Sequence, residues 1–185
     1  MPDRANEGHA DRAQDEFLVL QCQLGDEDAF RALVDRWQPK LLRHARYFTR
    51  QADAAKDVAQ ESWIAIVKGL GSLQDPARFR PWAFRIVANK ARDWVRREDS
   101  RRKAAGRAAA ETAATDEPAA AHGPVERVLG GLAALEPSHR SILTLYYLEG
   151  MSVGEIAEAL GIPDGTVKSR LFHARDALRA RLEEP

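Results

Sequence analysis

Ser152-Val-Gly-Glu-Ile-Ala-Glu-Ala-Leu160, then Gly161-Ile162-Pro163, then Asp164-Gly-Thr-Val-Lys-Ser-Arg-Leu171 is the stretch on which the reading of this chain turns. Val153, Ile156, Ala157 and Leu160 recur at three- and four-residue steps, the spacing of one helical face. Ser152 can cap that helix, and Glu155 stands at the capping-box position. Gly161-Ile162-Pro163 makes a tight turn and Asp164 can cap the next helix. Val167, Leu171, Ala174, Leu178 and Leu182 then supply the apolar side of that second helix. Helix, short Gly-containing turn and helix is the helix-turn-helix arrangement, whose second helix enters the major groove and reads bases from its N-terminal half. Here that half offers Thr166, Lys168, Ser169, Arg170 and His173, hydrogen-bonding groups with two cations among them. A plain helical hairpin would share the turn but would not require that cationic, hydroxyl-rich start.

Upstream of this unit, Val125, Val128, Leu129, Leu132 and Leu135 form one apolar stripe, and after Pro137 the run RSILTLYYLEG forms another, stopped by Gly150. Further upstream the composition changes abruptly. In Arg101 to Pro124 ten of 24 residues are Ala, and no aromatic or large aliphatic side chain occurs. Such a segment has nothing with which to build a core, and Gly106, Pro118, Gly123 and Pro124 favour a mobile linker. It divides the chain into an acidic, disordered tail over 1–14, a first block over 15–100, the linker over 101–124 and a second block over 125–183. The expected fold class is all-α: two small helical domains joined by a flexible linker.

The first block reads as helices because its apolar residues step by three and four and sustained alternation is missing. Phe30, Leu33, Val34, Trp37, Leu41, Ala45 and Phe48 make one stripe, with a kink expected at Pro39. Ala59, Trp63, Ile66, Val67 and Leu70 make the next, ended by Gly71. The third helix, Pro81 to Arg97, places Phe84, Val87, Ala88, Ala91, Trp94 and Val95 on one side. Its other side carries Trp82, Arg85, Ile86, Asn89, Lys90, Arg92, Arg96 and Arg97, so an exposed Trp and an Asn stand among cations. Aromatic rings stack on unpaired bases while Arg and Lys hold phosphates, so this composition suits a reader of single strands. Packing of Trp82 under the preceding loop is the competing reading.

Charge is unevenly spread although 28 Lys and Arg balance 28 Asp and Glu. Met1 to Asp28 carries a net −6, Arg78 to Arg107 a net +8, and Val125 to Pro185 a net −2. A basic block containing aromatics raises the odds of nucleic acid. The longest stretch without a charged residue, Phe17 to Gly25, has nine residues, far short of the ~20 that a spanning helix needs, so no membrane insertion is expected. The acidic N-terminus lacks the features of a secretory signal, which together with a lone Cys22 places the protein in the cytoplasm as an expectation. His9, His44, His122, His139 and His173 lie in different segments without ligand spacing. Neither a Gly-rich phosphate loop nor a Ser, His and acid constellation occurs, so neither metal, cofactor nor catalysis is expected.

Taken in order, these motifs resemble a bacterial RNA polymerase sigma factor of the extracytoplasmic-function class in the sigma-70 family. Asp57-Val-Ala-Gln-Glu61 followed by Ser-Trp-Ile resembles the polymerase-binding segment of sigma domain 2. Phe79-Arg-Pro-Trp82, Arg85-Ile-Val-Ala-Asn89 and Ala91-Arg-Asp-Trp-Val-Arg-Arg97 resemble the helix that reads the −10 element. Leu135-Glu-Pro, Arg140-Ser-Ile-Leu, Glu155-Ile-Ala and Gly165-Thr-Val-Lys-Ser-Arg-Leu171 resemble domain 4, which reads the −35 element. Two departures stand out. The family commonly has Arg where this chain has His173 before Ala-Arg175, and primary sigma factors carry adjacent Trp residues where it has Arg85 and Ile86.

The resemblance implies a non-catalytic initiation factor. Core RNA polymerase would be a partner through its clamp and flap regions, the largest-subunit clamp meeting Asp57, Gln60, Glu61 and Ile64. The −10 element would meet Arg80, Trp82, Arg85, Asn89, Lys90, Arg92 and Arg96, with Leu73 to Arg80 as the loop that captures an extruded base. The −35 element would meet Thr166, Lys168, Ser169, Arg170, His173 and Arg175. An anti-sigma factor is a further implied partner, and promoter melting would be confined to well-matched sites. The acidic tail is expected to screen the basic face in the free protein. A free-standing helix-turn-helix repressor or activator is the alternative.

Overall fold

The computed structural model describes residues 4–104 and 123–183, with side chains at all but 4–9, 124–126 and 129. Among the described residues every regular element is helical. The first block contains α1 (Arg4–Gln23), α2 (Glu27–Thr49), α3 (Ala52–Leu70) and α4 (Phe79–Ala104). The second contains α5 (Pro124–Ala134), α6 (Pro137–Leu143), α7 (Val153–Leu160) and α8 (Asp164–Glu183). A single 3-10 turn, Pro76–Arg78, leads into α4, and a π turn, Thr144–Leu148, extends α6.

α2 is the element on which the first block is built. The Asp26 carboxylate accepts the amides of Asp28 and Ala29 at its start, and Arg50 closes its end in the left-handed region, φ 55°. Its buried stripe is Ala29, Leu33, Trp37, Leu41 and Ala45. The fully buried Trp37 meets Phe79 edge-on at 5.0 Å and Phe84 at 5.6 Å, joining α2 to the start of α4. The helix passes through Pro39 without a break in its helical span. Pro39 is on the exposed side, where the carbonyl left without its donor can meet water.

The stretch 1–14, expected as a disordered tail, is instead helical from Arg4 as the first turns of α1. Leu18 and Val19 bury one side of that helix. The nearly buried Asp15 accepts from Trp37 Nε1 at 2.9 Å and Arg36 Nε at 2.6 Å, and Asp11 accepts from Arg36 Nη2 at 2.8 Å. These bonds extend the anchorage of α1 back into the acidic stretch, so the helix starts well before its apolar residues do. α4 likewise runs to Ala104, four residues into the expected linker, because Glu98 pairs with Arg101 and Arg102 one turn on. Residues 105–122, the rest of that linker, lie outside the described residues.

In the second block the expected capping box forms. Ser152 Oγ accepts from the Glu155 amide at 3.2 Å, and the Glu155 carboxylate accepts from the Ser152 amide at 2.7 Å. Gly161 ends α7 at φ +67°, a conformation open to glycine at no steric cost. α8 begins at Asp164 itself: the Pro163 carbonyl accepts the Thr166 and Val167 amides, and Asp164 adds its charge to the first turn rather than capping it. Val167, Leu171 and Ala174 are buried. Leu178 and Leu182 lie against Gly131 of α5, where a Cβ would come within 3.0 Å of Leu178. The buried Arg140 stitches the α5–α6 corner by donating to the carbonyls of Ala133 and Leu135.

The two blocks are packed together. α7 lies along α4 and α6 against α2, and buried side chains of both blocks belong to one continuous apolar cluster. This packing decides how the basic face of α4 is presented.

Candidate nucleic-acid interface

α4 carries its cations in two rows. Along the edge that borders α3, Lys90 and Arg97 approach the Glu61 carboxylate at 3.6 and 3.7 Å. Trp82 stands in the same row and is half-buried rather than exposed. Gly69 of α3 leaves the space that its six-membered ring fills, since a Cβ there would meet Trp82 Cζ2 at 2.8 Å, and Phe79 lies tilted against it at 6.1 Å. Trp82 thus packs against α3 and Phe79, where the competing reading expected the preceding loop to cover it. Along the edge that borders α7, Arg92 donates to the Leu160 carbonyl at 3.0 Å, and Arg78, in the turn just before α4, pairs with Glu158 at 2.7 Å. Arg85 and Asn89 are exposed, Asn89 accepting from Arg92, and Arg96 is exposed beside Asp93. Arg80 is the exception, largely covered, with Glu149 of the second block at 3.9 Å. Toward its C-terminal end α4 also edges an open groove of about 420 Å³, lined by Phe48, Arg92, Arg96 and Lys103 among others.

The acids that meet these cations are not those of the N-terminus. Asp11 and Asp15 turn to Arg36 on α2, and the side chains of residues 1–9 lie outside the described set. Within the described part of the tail Asp11 also feels the charge of Arg80, behind that of Arg36, while Glu149 and Glu158 approach Arg80 and Arg78 directly. Arg12 joins the second block as well, with Glu155 at 3.3 Å and the Gly150 carbonyl at 3.4 Å.

On α3, Asp57, Gln60 and Ile64 are exposed, together with Val67. Glu61 is only half-exposed and is shared with Lys90 and Arg97, so it belongs as much to the α4 face as to a partner surface. On α8, Lys168, Ser169 and His173 are exposed, while Thr166 and Arg170 are half-buried. Phe172 is 59% exposed and stacks edge-on with His173 at 5.5 Å. Arg175 is committed elsewhere: its Nε donates to the Tyr147 hydroxyl at 2.9 Å, and its guanidinium lies over the rings of Tyr146 and Tyr147. α8 packs on α5, α6 and α7.

Sequence reasoning missed Lys40, Arg43 and Glu149. Glu149 is 3% exposed and ion-paired to Arg43 of α2, 106 positions away. No local spacing announces a pairing at that separation. The π turn places it: the Glu149 amide donates to the Thr144 carbonyl and the Met151 amide to that of Leu145, a wider turn that swings Glu149 inward.

Against protein families, residues 33–101 match the model of sigma-70 region 2 and residues 126–178 that of sigma-70 region 4. RNA polymerase sigma-H factor of Pseudomonas aeruginosa is 34% identical over 92% of this chain and 94% of its own. The chain belongs to the sigma-70 family, in its extracytoplasmic-function class. The ECF RNA polymerase sigma-E factor of Haemophilus influenzae is 30% identical over 94% of this chain and 98% of its own. Among solved structures, CnrH in complex with the cytosolic domain of CnrY is 31% identical, covers 92% of this chain and 97% of its own, and superposes with a TM-score of 0.64. RpoE in complex with the anti-sigma factor NepR from Bartonella quintana shares the fold at a TM-score of 0.70, covering 84% of this chain and 97% of its own at 23% identity. As a sigma factor the chain directs promoter-specific transcription initiation by RNA polymerase, and the free-standing repressor reading is not favoured. Among the described residues, no helix is long and apolar enough to cross a membrane.

Proposed function

We propose that this sigma factor divides its work among three helices. The exposed face of α3, with Asp57, Gln60 and Ile64 and with Glu61 at its edge, docks on the clamp of the largest polymerase subunit through a mixed charged and apolar contact. α4 holds the melted −10 strand, with Trp82 supplying a stacking surface and Arg85, Asn89, Lys90, Arg92 and Arg96 meeting phosphates and base edges. Arg80 joins them once Glu149 has moved away. α8 reads the −35 duplex with Thr166, Lys168, Ser169, Arg170 and His173. Arg175, held on Tyr147, acts by fixing α8 against the π turn rather than by touching DNA. The loop 73–80 captures the extruded base.

What chiefly supports this reading is the cation row of α4 bordered by a half-buried Trp ring packed on Gly69 and Phe79. A half-buried ring is preorganised for stacking, because its orientation is set before a base arrives. The second block, at a net −2, gains little from phosphate neutralisation alone, so tethering on polymerase has to supply its effective concentration at the −35 duplex. No residue of this scheme performs chemistry, and the protein acts where polymerase works, in the cytoplasm at the nucleoid. An anti-sigma factor is a fitting inhibitor, since RpoE of Bartonella quintana was solved with one. Run-off transcription with core polymerase tests the reading. Trp82→Ala should leave closed-complex binding intact and reduce permanganate reactivity of −10 thymines. Tight, sequence-specific duplex binding without polymerase, and no run-off product with it, would sink the scheme.

A further inference from the structure

α1 has a second apolar face, which the fold leaves uncovered. Its inner side is made by Asp15, Leu18 and Val19, all buried, with Cys22 packed beside them. Ala10, Ala13, Phe17, Leu20 and Leu24 are exposed, Phe17 at 58%, Leu20 at 48% and Leu24 at 80%. The Leu24 amide donates to the Leu20 carbonyl at 3.1 Å, so the stripe continues one residue past the end of the helix at Gln23. At 3.6 residues per turn the five positions fall within an arc of about 80°, opposite the inner side. Their steps of three, four, three and four residues are those of alternating a and d positions in a coiled coil. A seam with that spacing is shaped for another helix running along it. It is bordered by Gln14 and Gln21 on one edge and by Glu16 and Gln23 on the other. That border holds no Lys or Arg, which a helix lying on an anionic lipid surface would carry.

We infer that the seam pairs α1 with α1 of a second copy of this chain, in antiparallel orientation. About a two-fold axis between Phe17 and Leu20, Phe17 of each copy meets Leu20 of the other, and Leu24 of each meets Ala13 of the other. The long Leu24 thus fills the space over the short Ala13, the size match that close packing asks for. A parallel pair would set Phe17 on Phe17 and Ala13 on Ala13, crowding one layer and leaving the other empty. The antiparallel register also sets Glu16 beside Gln23 and Gln14 beside Gln21, so no like charges meet along the edges and the two helix dipoles oppose. α1 is already held as a helix by the bonds of Asp15 to Arg36 and Trp37, so pairing has no new backbone to order. From Ala10 to Leu24 the seam runs about 21 Å, a small contact that makes the dimer weak and reversible. The pairing is independent of the roles proposed for α3, α4 and α8, and its extent is set by the concentration of free chain.

Sedimentation velocity of the full chain without polymerase should show a dimer whose share grows as the concentration rises from low to high micromolar. Leu20→Glu sets a charge against Phe17 of the other copy and should weaken the dimer by roughly tenfold or more. Circular dichroism should be unchanged, because Leu20 faces outward. Orientation is read from disulfide formation in a Cys22→Ser background. Ala13→Cys combined with Leu24→Cys should cross-link two copies. Leu24→Cys alone should not, because the two positions 24 of an antiparallel pair lie about 16 Å apart along the axis, too far to bridge. A chain that stays monomeric at every concentration overturns the proposal and leaves the seam to a helix of another protein. A dimer that survives Leu20→Glu with its strength unchanged overturns it as well, as does cross-linking of Leu24→Cys alone. If Leu20→Glu loses its helical signal, the cross-linking pattern decides by itself.

Discussion

His44 sits at the centre of the first block with its ring edge-on to Phe84 at 5.0 Å and Phe48 at 5.2 Å, and neither ring nitrogen has a hydrogen-bond partner. Burial, and secondarily the charges of Arg43 and Arg92, push its pKa from 6.5 down to about 3. The unfolded chain therefore binds a proton on this residue between those values and the folded chain does not, so stability falls as pH drops through that window and the loss is complete below about 3. Linkage sets the slope at about 1.4 kcal/mol per pH unit. Urea unfolding at stepped pH should show the stability of His44→Phe gaining about 2 to 3 kcal/mol on that of the unmodified protein between pH 7 and pH 4.5. On α8 the contrast lies between two neighbouring cations. Arg170→Ala should cost ~1 to 3 kcal/mol at the −35 element and relax preference at one base pair, whereas the exposed Lys168→Ala should weaken all sequences alike, both read in holoenzyme competition assays.

Helix boundaries show which signals a sequence carries and which it does not. The capping box at Ser152 and Glu155 formed as read, because both partners lie within one turn and need nothing from elsewhere. Ser152→Ala should lower stability by ~1 kcal/mol, seen as a reduced Tm of the full chain. The start of α1 and the end of α4 run beyond the apolar pattern because their support is tertiary or one turn further on: Arg36 for Asp11, and Glu98 for Arg101 and Arg102. The burial of Trp82 is not legible in the sequence, because a helical wheel shows which side a residue occupies but not that a glycine on the adjoining helix leaves room for it. That geometry makes Gly69 a positioning residue. Gly69→Ala puts a methyl group at 2.8 Å from Trp82 Cζ2, so the ring must turn, and open-complex formation should fall through Trp82 alone. Permanganate footprinting at unchanged closed-complex affinity would show it. Equal footprints would mean that the ring adapts without loss of function.

Across the molecule, the helical class and the helix-turn-helix were legible because periodicity and capping are local, whereas the docking of the two blocks was not. Its contacts join Arg43 to Glu149, Arg78 to Glu158 and Arg92 to Leu160, pairs that ordinary surface charges could equally have formed with water. The same packing refines the polymerase test. Glu61 serves Lys90 and Arg97, so reversing its charge would disturb the basic face of α4 together with any clamp contact. Asp57→Lys combined with Ile64→Ala is the cleaner pair: both side chains are exposed on α3, and affinity for core polymerase should drop at least tenfold with circular dichroism unchanged. Retained affinity would move the interface off α3. There is also a consequence for the order in which the chain is made. Domains emerge and fold from the N-terminus during synthesis. α4 and its cations are therefore complete before Glu149 and Glu158, which come several tens of residues after α4, have been added. On the ribosome, the growing polypeptide passes through an interval in which its basic helix stands uncovered beside ribosomal RNA, and its own later residues end that interval.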